Sequence, residues 1–314
     1  MWAIIHSSTK IFIALALILS INKTAFTQKN DSTILLPSNY LELNFQYGML
    51  LPHHNEVAYL NQKNIAGFDF SWYVQTNGKR DWEKEYRLPT KGISLLYINL
   101  SSENNLGNGV AIFPFVRFPV VKKLPGLGIK VGYGLGYIEK PFHITNNRKN
   151  LVIGSKLNAF FFTGLNYNQK ISKKLSLNLG FNLSHFSNGS YKLPNLGINN
   201  FTANFGINYS ISEIEKNNKN SWCGGSLDNR WHYFLFSSYS LKNIEVQNEN
   251  RYPVVTLVGD GIKKVSRKLV AGAGVNFFYN QSITDQLSLM DTNYIINAND
   301  NYRVGIHGSF GFRF

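Results

Sequence analysis

The chain is poor in the residues and patterns that build most soluble folds. It holds one cysteine, Cys223, in 314 residues, so no internal disulfide can form and the fold has no covalent staple. An inert thiol is the simplest reading of Cys223. No stretch of useful length carries the 3.6-residue period of an amphipathic helix, which argues against a helical bundle. The one leading apolar run, Ile11–Ile21, is shorter than the ~20 residues a spanning helix needs. No His/Cys/Asp/Glu group has ligand spacing, the seven histidines do not cluster, and no P-loop or haem motif is present, so neither a metal nor a cofactor is expected. Acidic residues are scarce as well: 18 Asp and Glu stand against 32 Lys and Arg, giving a formal charge of +14 and a pI near 9.6. In a soluble protein such a balance points to nucleic acid.

The N-terminus redirects that inference. Lys10 precedes the short apolar run, polar residues follow, and a cleavage point near Thr27/Gln28 makes residues 1–27 a secretory signal. No cysteine lies near that point, so a lipoprotein anchor is not expected. An exported chain meets little nucleic acid; an anionic lipid surface such as phosphorylated lipopolysaccharide is the better partner. Residues 28–314 are expected to make one domain.

What the chain has in plenty is aromatic residues, with 23 Phe and 17 Tyr, set in period-two alternation from residue 40 to the end. Leu41, Leu43, Phe45, Tyr47 and Met49 oppose Glu42, Asn44, Gln46 and Gly48. Phe201, Ala203, Phe205, Ile207 and Tyr209 oppose Thr202, Asn204, Gly206 and Asn208. Segments of about ten residues with an apolar face and a Gly/Asn face, separated by turn residues, are the mark of an all-β transmembrane antiparallel β-barrel. A soluble sandwich usually charges its polar face instead. About twelve strands are expected, near 40–50, 66–76, 92–100, 109–119, 127–138, 155–170, 174–187, 200–212, 231–241, 251–258, 267–280 and 301–314, an even number that leaves both termini in the periplasm. Parity is muddled at 231–241 and 251–258. The connections 77–91 and 213–230 are long for periplasmic turns, so either strands extend further or the count is off by two. The ending VGIHGSFGFRF resembles the terminal strand of bacterial outer-membrane proteins, through which the barrel assembly machinery recognises them.

The chemistry concentrates at 185–199. In KLSLNLGFNLSHFS, Leu175, Leu177, Leu179, Phe181 and Leu183 share a parity that His185 and Ser187 continue. A histidine and a serine thus end an apolar strand face, an arrangement suited to an enzyme whose substrate is lipid. If odd-numbered strands run outward, both residues lie on the lipid-facing wall at the outer-leaflet level. They are separated by about 6.6 Å of rise. A hairpin centred near residue 192 sets Asn199 opposite His185.

The pattern H-x-S-N-x-x-x-x-x-P-N-x-G-I, matched by His185, Ser187, Asn188, Pro194, Asn195, Gly197 and Ile198, resembles the signature of the lipid A 3-O-deacylases, the outer-membrane acyloxyacyl hydrolase-like barrels. The resemblance implies an outer-membrane serine esterase that removes an ester-linked acyl chain from lipid A. It makes His185 the general base and Ser187 the nucleophile, with Asn188 and a nearby backbone N–H such as that of Gly189 as oxyanion donors. It covers about residues 40–212 and implies eight strands for that part, leaving four beyond it. One departure stands out: the family places a glutamate fourteen residues after the histidine, where this chain has Asn199. Asparagine can hold an imidazole in one tautomer but supplies no charge for the imidazolium. Glu139 and Glu245 are distant candidates for the missing carboxylate.

Two rival readings follow. Without the glutamate, the chain is a lipopolysaccharide-binding barrel with weakened catalysis; with its Gly/Asn interior, it is a small pore. Lys192 in the motif loop, with Lys140, His143, Arg148 and Lys149 in another exterior loop, supplies charge for lipid A phosphates. DWEKEYR (81–87), GDGIKK (259–264) and GGSLDN (224–229) read as turns.

Overall fold

A computed structural model describes residues 39–52, 54–211, 230–246, 250–266, 269–290 and 295–312, with two-residue strands at 34–35 and 216–217. The signal segment 1–27, Cys223, GGSLDN and the last residues lie outside the described ones.

Eight strands close a barrel by nearest-neighbour antiparallel pairing: β1 (Asn39–Leu50), β2 (Ile65–Gln75), β3 (Thr90–Asn99), β4 (Asn108–Val121), β5 (Leu124–Ile138), β6 (Leu157–Lys170), β7 (Leu175–Ser187) and β8 (Ile198–Ser210). The last returns to the first, from Tyr40↔Ser210 to Leu50↔Asn200. That seam occupies both free edges, so no further strand can enter the ladder. The remaining four, β9 (Trp231–Lys242), β10 (Tyr252–Lys264), β11 (Leu269–Asn280) and β12 (Tyr302–Phe312), form a separate four-stranded antiparallel sheet. All twelve expected strands are present, including the two of muddled parity, but the single twelve-stranded cylinder is corrected to eight plus four. The C-terminal strand correspondingly edges the second sheet rather than the barrel. Two smaller expectations also change. DWEKEYR holds a one-turn helix, α1 (Asp81–Glu85), whose Glu83 is buried, and GDGIKK continues strand β10.

The barrel is inside-out relative to a water-soluble protein. Tyr133, Leu135, Phe205 and Phe181 stand more than half exposed, while Glu42, Asn44, Asp69, Arg117, Lys130 and Asn178 are buried in the lumen. Arg117 donates to both oxygens of Glu42 at 2.9 and 2.7 Å, and Lys130 lies 2.9 Å from Asp69 and 3.6 Å from Glu42. The asparagines of the polar parity form a relay: Asn166 and Asn182 donate to Asn204, Asn204 to Asn178, and Asn178 to Glu42, at 3.0 to 3.1 Å. Glycine on this face makes room for them. A Cβ on Gly206 would fall 2.1 Å from the Asn44 amide oxygen.

Toward the rim where β7 ends, the lumen turns apolar. Phe186 packs on Phe160 with centroids 4.7 Å apart, and Phe160 on Phe113 at 5.0 Å, all fully buried. At this rim the connections are long (51–64, 100–107, 139–156 and 188–197), whereas 122–123 and 171–174 at the opposite rim are tight. No helix among the described residues is long and apolar enough to cross a membrane.

Candidate active site

Alternation along β7 decides which way the candidate residues point. Ser184 and Phe186 are buried in the lumen, so His185 and Ser187 project to the outer wall, continuing the exposed Phe181 and Leu183. Both are half-buried. Their neighbours across the ladder are Phe161 beside His185 and Ala159 beside Ser187, the latter leaving space against the hydroxyl. On the other side His185 faces Asn199, the register the hairpin reading requires.

That register produces the central contact. His185 Nδ1 lies 2.6 Å from Asn199 Oδ1. An amide oxygen only accepts, so Nδ1 carries the hydrogen, and in the neutral ring the lone pair then lies on Nε2. Gly197 encloses the ring from the loop side. It sits at φ +84°, and a Cβ there would lie 2.6 Å from His185 Cε1. Its own N–H is fixed by a 2.8 Å bond to the Val152 carbonyl in the neighbouring loop.

Ser187 Oγ accepts from the Gly189 N–H and from the Asn195 side-chain amide, each at 3.3 Å. No direct hydrogen bond joins Ser187 to His185, as is common where substrate is not bound. Gly189 takes φ +63° and Ser190 φ +64°, the left-handed turn that aims the Gly189 N–H back at the strand end.

Asn188 is placed differently from expectation. Its side-chain N–H groups are taken by Ser155 Oγ at 2.7 Å and the Lys192 carbonyl at 2.8 Å, and its backbone N–H by Asn195 at 2.9 Å. It therefore ties the motif loop to the 139–156 loop, and the amide aimed at Ser187 belongs to Asn195. Asn195 was a matched motif position without an assigned role, whereas Ser155 carried no signal in the sequence. Neither distant carboxylate replaces Asn199: Glu139 accepts from the backbone and side chain of Asn108, at 3.0 and 2.8 Å, and Glu245 forms no contact with His185.

Several bases surround the rim. Lys192 and Lys149 are exposed, but Lys140 donates to the Glu103 carbonyl at 3.0 Å and Arg148 to that of Ile144. Lys63, 2.7 Å from Glu103, holds that carboxyl below the usual carboxylate range. Among the described residues no group of three or more His, Cys, Asp or Glu could hold a metal ion.

The fold is that of an antiparallel β-barrel of eight strands, with a histidine and a serine side by side on its outer wall. Residues 66–208, which include the whole constellation, match the family described as lipid A 3-O-deacylase (PagL), and residues 229–314 match the acyloxyacyl hydrolase C-terminal domain. The chain belongs to the lipid A 3-O-deacylase family. The second match coincides with the four-stranded sheet and agrees with its separation from the barrel. No curated protein matches the chain.

Proposed function

We propose that the protein is an outer-membrane serine esterase that removes an ester-linked acyl chain from lipid A, working from the outer leaflet. The observation that carries this reading is the bond from His185 to Asn199 at 2.6 Å, which leaves Nε2 basic on the same outer-wall face as Ser187. The exposed apolar wall suits hydrocarbon, and the rim with long loops suits the cell exterior. Phe181 and Phe201, stacked with centroids 5.9 Å apart on the same outer face as His185, offer an apolar surface for acyl chains.

In the reaction, His185 Nε2 takes the Ser187 proton as Oγ attacks the ester carbonyl. The oxyanion, which forms beside Oγ, is assigned to the Gly189 N–H and the Asn195 amide, which lie 3.3 Å from Oγ and turn from it to the new oxygen as the bond forms. Collapse expels the sugar alkoxide, which takes the proton from His185. Water, deprotonated by the same nitrogen, then releases the acyl group from Ser187. Asn199 fixes the tautomer throughout. Lys192 is assigned to lipid A phosphate, and the segment 1–27 to export.

Purified barrel incubated with lipopolysaccharide, followed by mass spectrometry of the lipid A, tests the assignment. Wild type should release a fatty acid and Ser187→Ala should not; equal release from both rejects the mechanism. The neutral Asn199 favours a second reading, a binding barrel with little turnover. Its pattern is tight lipopolysaccharide binding, no product, and no rescue by Asn199→Glu.

A further inference from the structure

The four-stranded sheet β9–β12 repeats the inside-out design of the barrel without closing it. The register places Leu235, Gly259, Val275 and Ile306 in one row on one face, where Leu235 is 83 % and Ile306 89 % exposed. The opposite face carries a hydrogen-bonded polar group: Asp260 Oδ1 lies 2.7 Å from His307 Nε2 and accepts from Ser309 Oγ at 3.0 Å. The connections repeat the barrel's asymmetry as well. Four residues join β10 to β11, whereas nine join β9 to β10 and twenty-one join β11 to β12. The long-loop end meets the rim bearing the candidate site, where the Asn243 N–H donates to the Ser190 carbonyl at 2.7 Å and Arg251 covers the Tyr191 ring at 4.2 Å. Strand β8 ends at the far rim and β9 ends at this one, so β9 runs toward the same rim as β7.

A sheet so placed cannot stay open. In hydrocarbon each unpaired backbone group costs several kcal/mol, so only closed barrels or helices span. Among the described residues, neither β9 nor β12 has a ladder partner on its outer side. Strand β9 is exposed on both faces: Phe234 and Phe236, on the polar-group side, are 55 % and 58 % exposed. One face against lipid explains half of that pattern; the other needs a lumen.

We propose that two copies of the chain close a second, intermolecular eight-stranded barrel from their C-terminal sheets. Four strands in a meander leave β9 and β12 antiparallel to each other, so a two-fold axis along the strands brings β9 of each copy against β12 of the other in antiparallel pairing. The result has the strand number that already closes within this chain. Each seam is about 36 Å long and about 10 Å deep, so two seams bury on the order of 1,400 Å² counting both partners, within the range of stable specific interfaces. Asp260 and His307 then sit inside a lumen, as Glu42 and Arg117 do in the first barrel.

The test uses the full chain in detergent micelles and in lipopolysaccharide-containing vesicles. In a Cys223→Ser background, Ser237→Cys is combined in turn with Val304→Cys, Ile306→Cys, Gly308→Cys and Phe310→Cys. Within one sheet these edges are three strand spacings apart, about 14 Å, beyond the ~7 Å reach of a disulfide, so only pairing between copies can link them. The expected result is a disulfide-linked dimer in at least one register, and a wild-type mass of two chains by sedimentation. A monomeric wild type overturns the proposal whatever the cysteine variants do. So does a dimer that links in no register, or an assembly larger than two.

Discussion

At the scale of single residues, the chemistry turns on what lies behind the imidazole. The Asn199 amide orients His185 but leaves the imidazolium without a counter-charge, and in a serine protease the corresponding Asp→Asn change costs about 10⁴ in rate. Asn199→Glu is therefore expected to raise fatty-acid release at saturating lipopolysaccharide by at least about tenfold. Asn199→Leu, which removes the acceptor, should lower it by a similar factor or more. An unchanged rate in the glutamate variant would show that charge on His185 does not limit turnover. Gly197 offers a second, geometric probe. Its φ of +84° disfavours any Cβ, and the atom would press on Cε1 of the ring. Gly197→Ala should keep the folded barrel's heat-modifiable gel mobility and lose about 10²-fold in rate, the usual penalty for roughly 1 Å of misplacement.

At the scale of elements, β7 joins the site to the barrel's packing, because Phe186 lies between His185 and Ser187 and points the other way. It fills the lumen against Phe160, which in turn packs on Phe113. Phe186→Ala is expected to cost about 3–5 kcal/mol, read as a lowered thermal unfolding midpoint, and to reduce activity through movement of the strand end. The sequence makes this strand legible, since period two fixes which residues share a face and a hairpin fixes that His185 meets Asn199. It does not reveal contacts between separate hairpins. Ser155 reaches Asn188 from 33 residues away, through a loop whose shape no local pattern encodes. That contact occupies the Asn188 amide and is the ground on which Asn195 is proposed as oxyanion donor in its place. Strand closure was hidden for a related reason: alternation marks twelve strands but not that β8 returns to β1. The long, polar 213–230 connection was the trace of that boundary.

At the scale of the whole molecule, the lumen decides between enzyme and channel. Eight strands leave an interior just wide enough for side chains to fill. Here the phenylalanine plug, the asparagine relay and the Glu42–Arg117–Lys130–Asp69 cluster block it from the rim of the candidate site to its middle. Only beyond Arg117 does a cavity of about 200 Å³, lined by Tyr40, Tyr73 and Asn208, open toward the other rim. Glycine and asparagine on the inner face thus serve close packing rather than a water path. Purified protein in planar bilayers should give no single-channel current attributable to this barrel at either polarity. The charges also make the interior sensitive to single changes. Lys130 is 2 % exposed and lies between two carboxylates, so Lys130→Met strands Asp69 in a low-dielectric lumen while Glu42 keeps Arg117. Removing one partner of a buried pair costs about 3–5 kcal/mol, whereas replacing the pair by apolar groups of similar volume is close to neutral. Lys130→Met should therefore lower the urea midpoint of barrel unfolding sharply, and Lys130→Met with Asp69→Leu should recover most of the loss. A double variant no more stable than the single one would mean that the cluster acts as a unit, with Glu42 and Arg117 unable to hold the lumen alone.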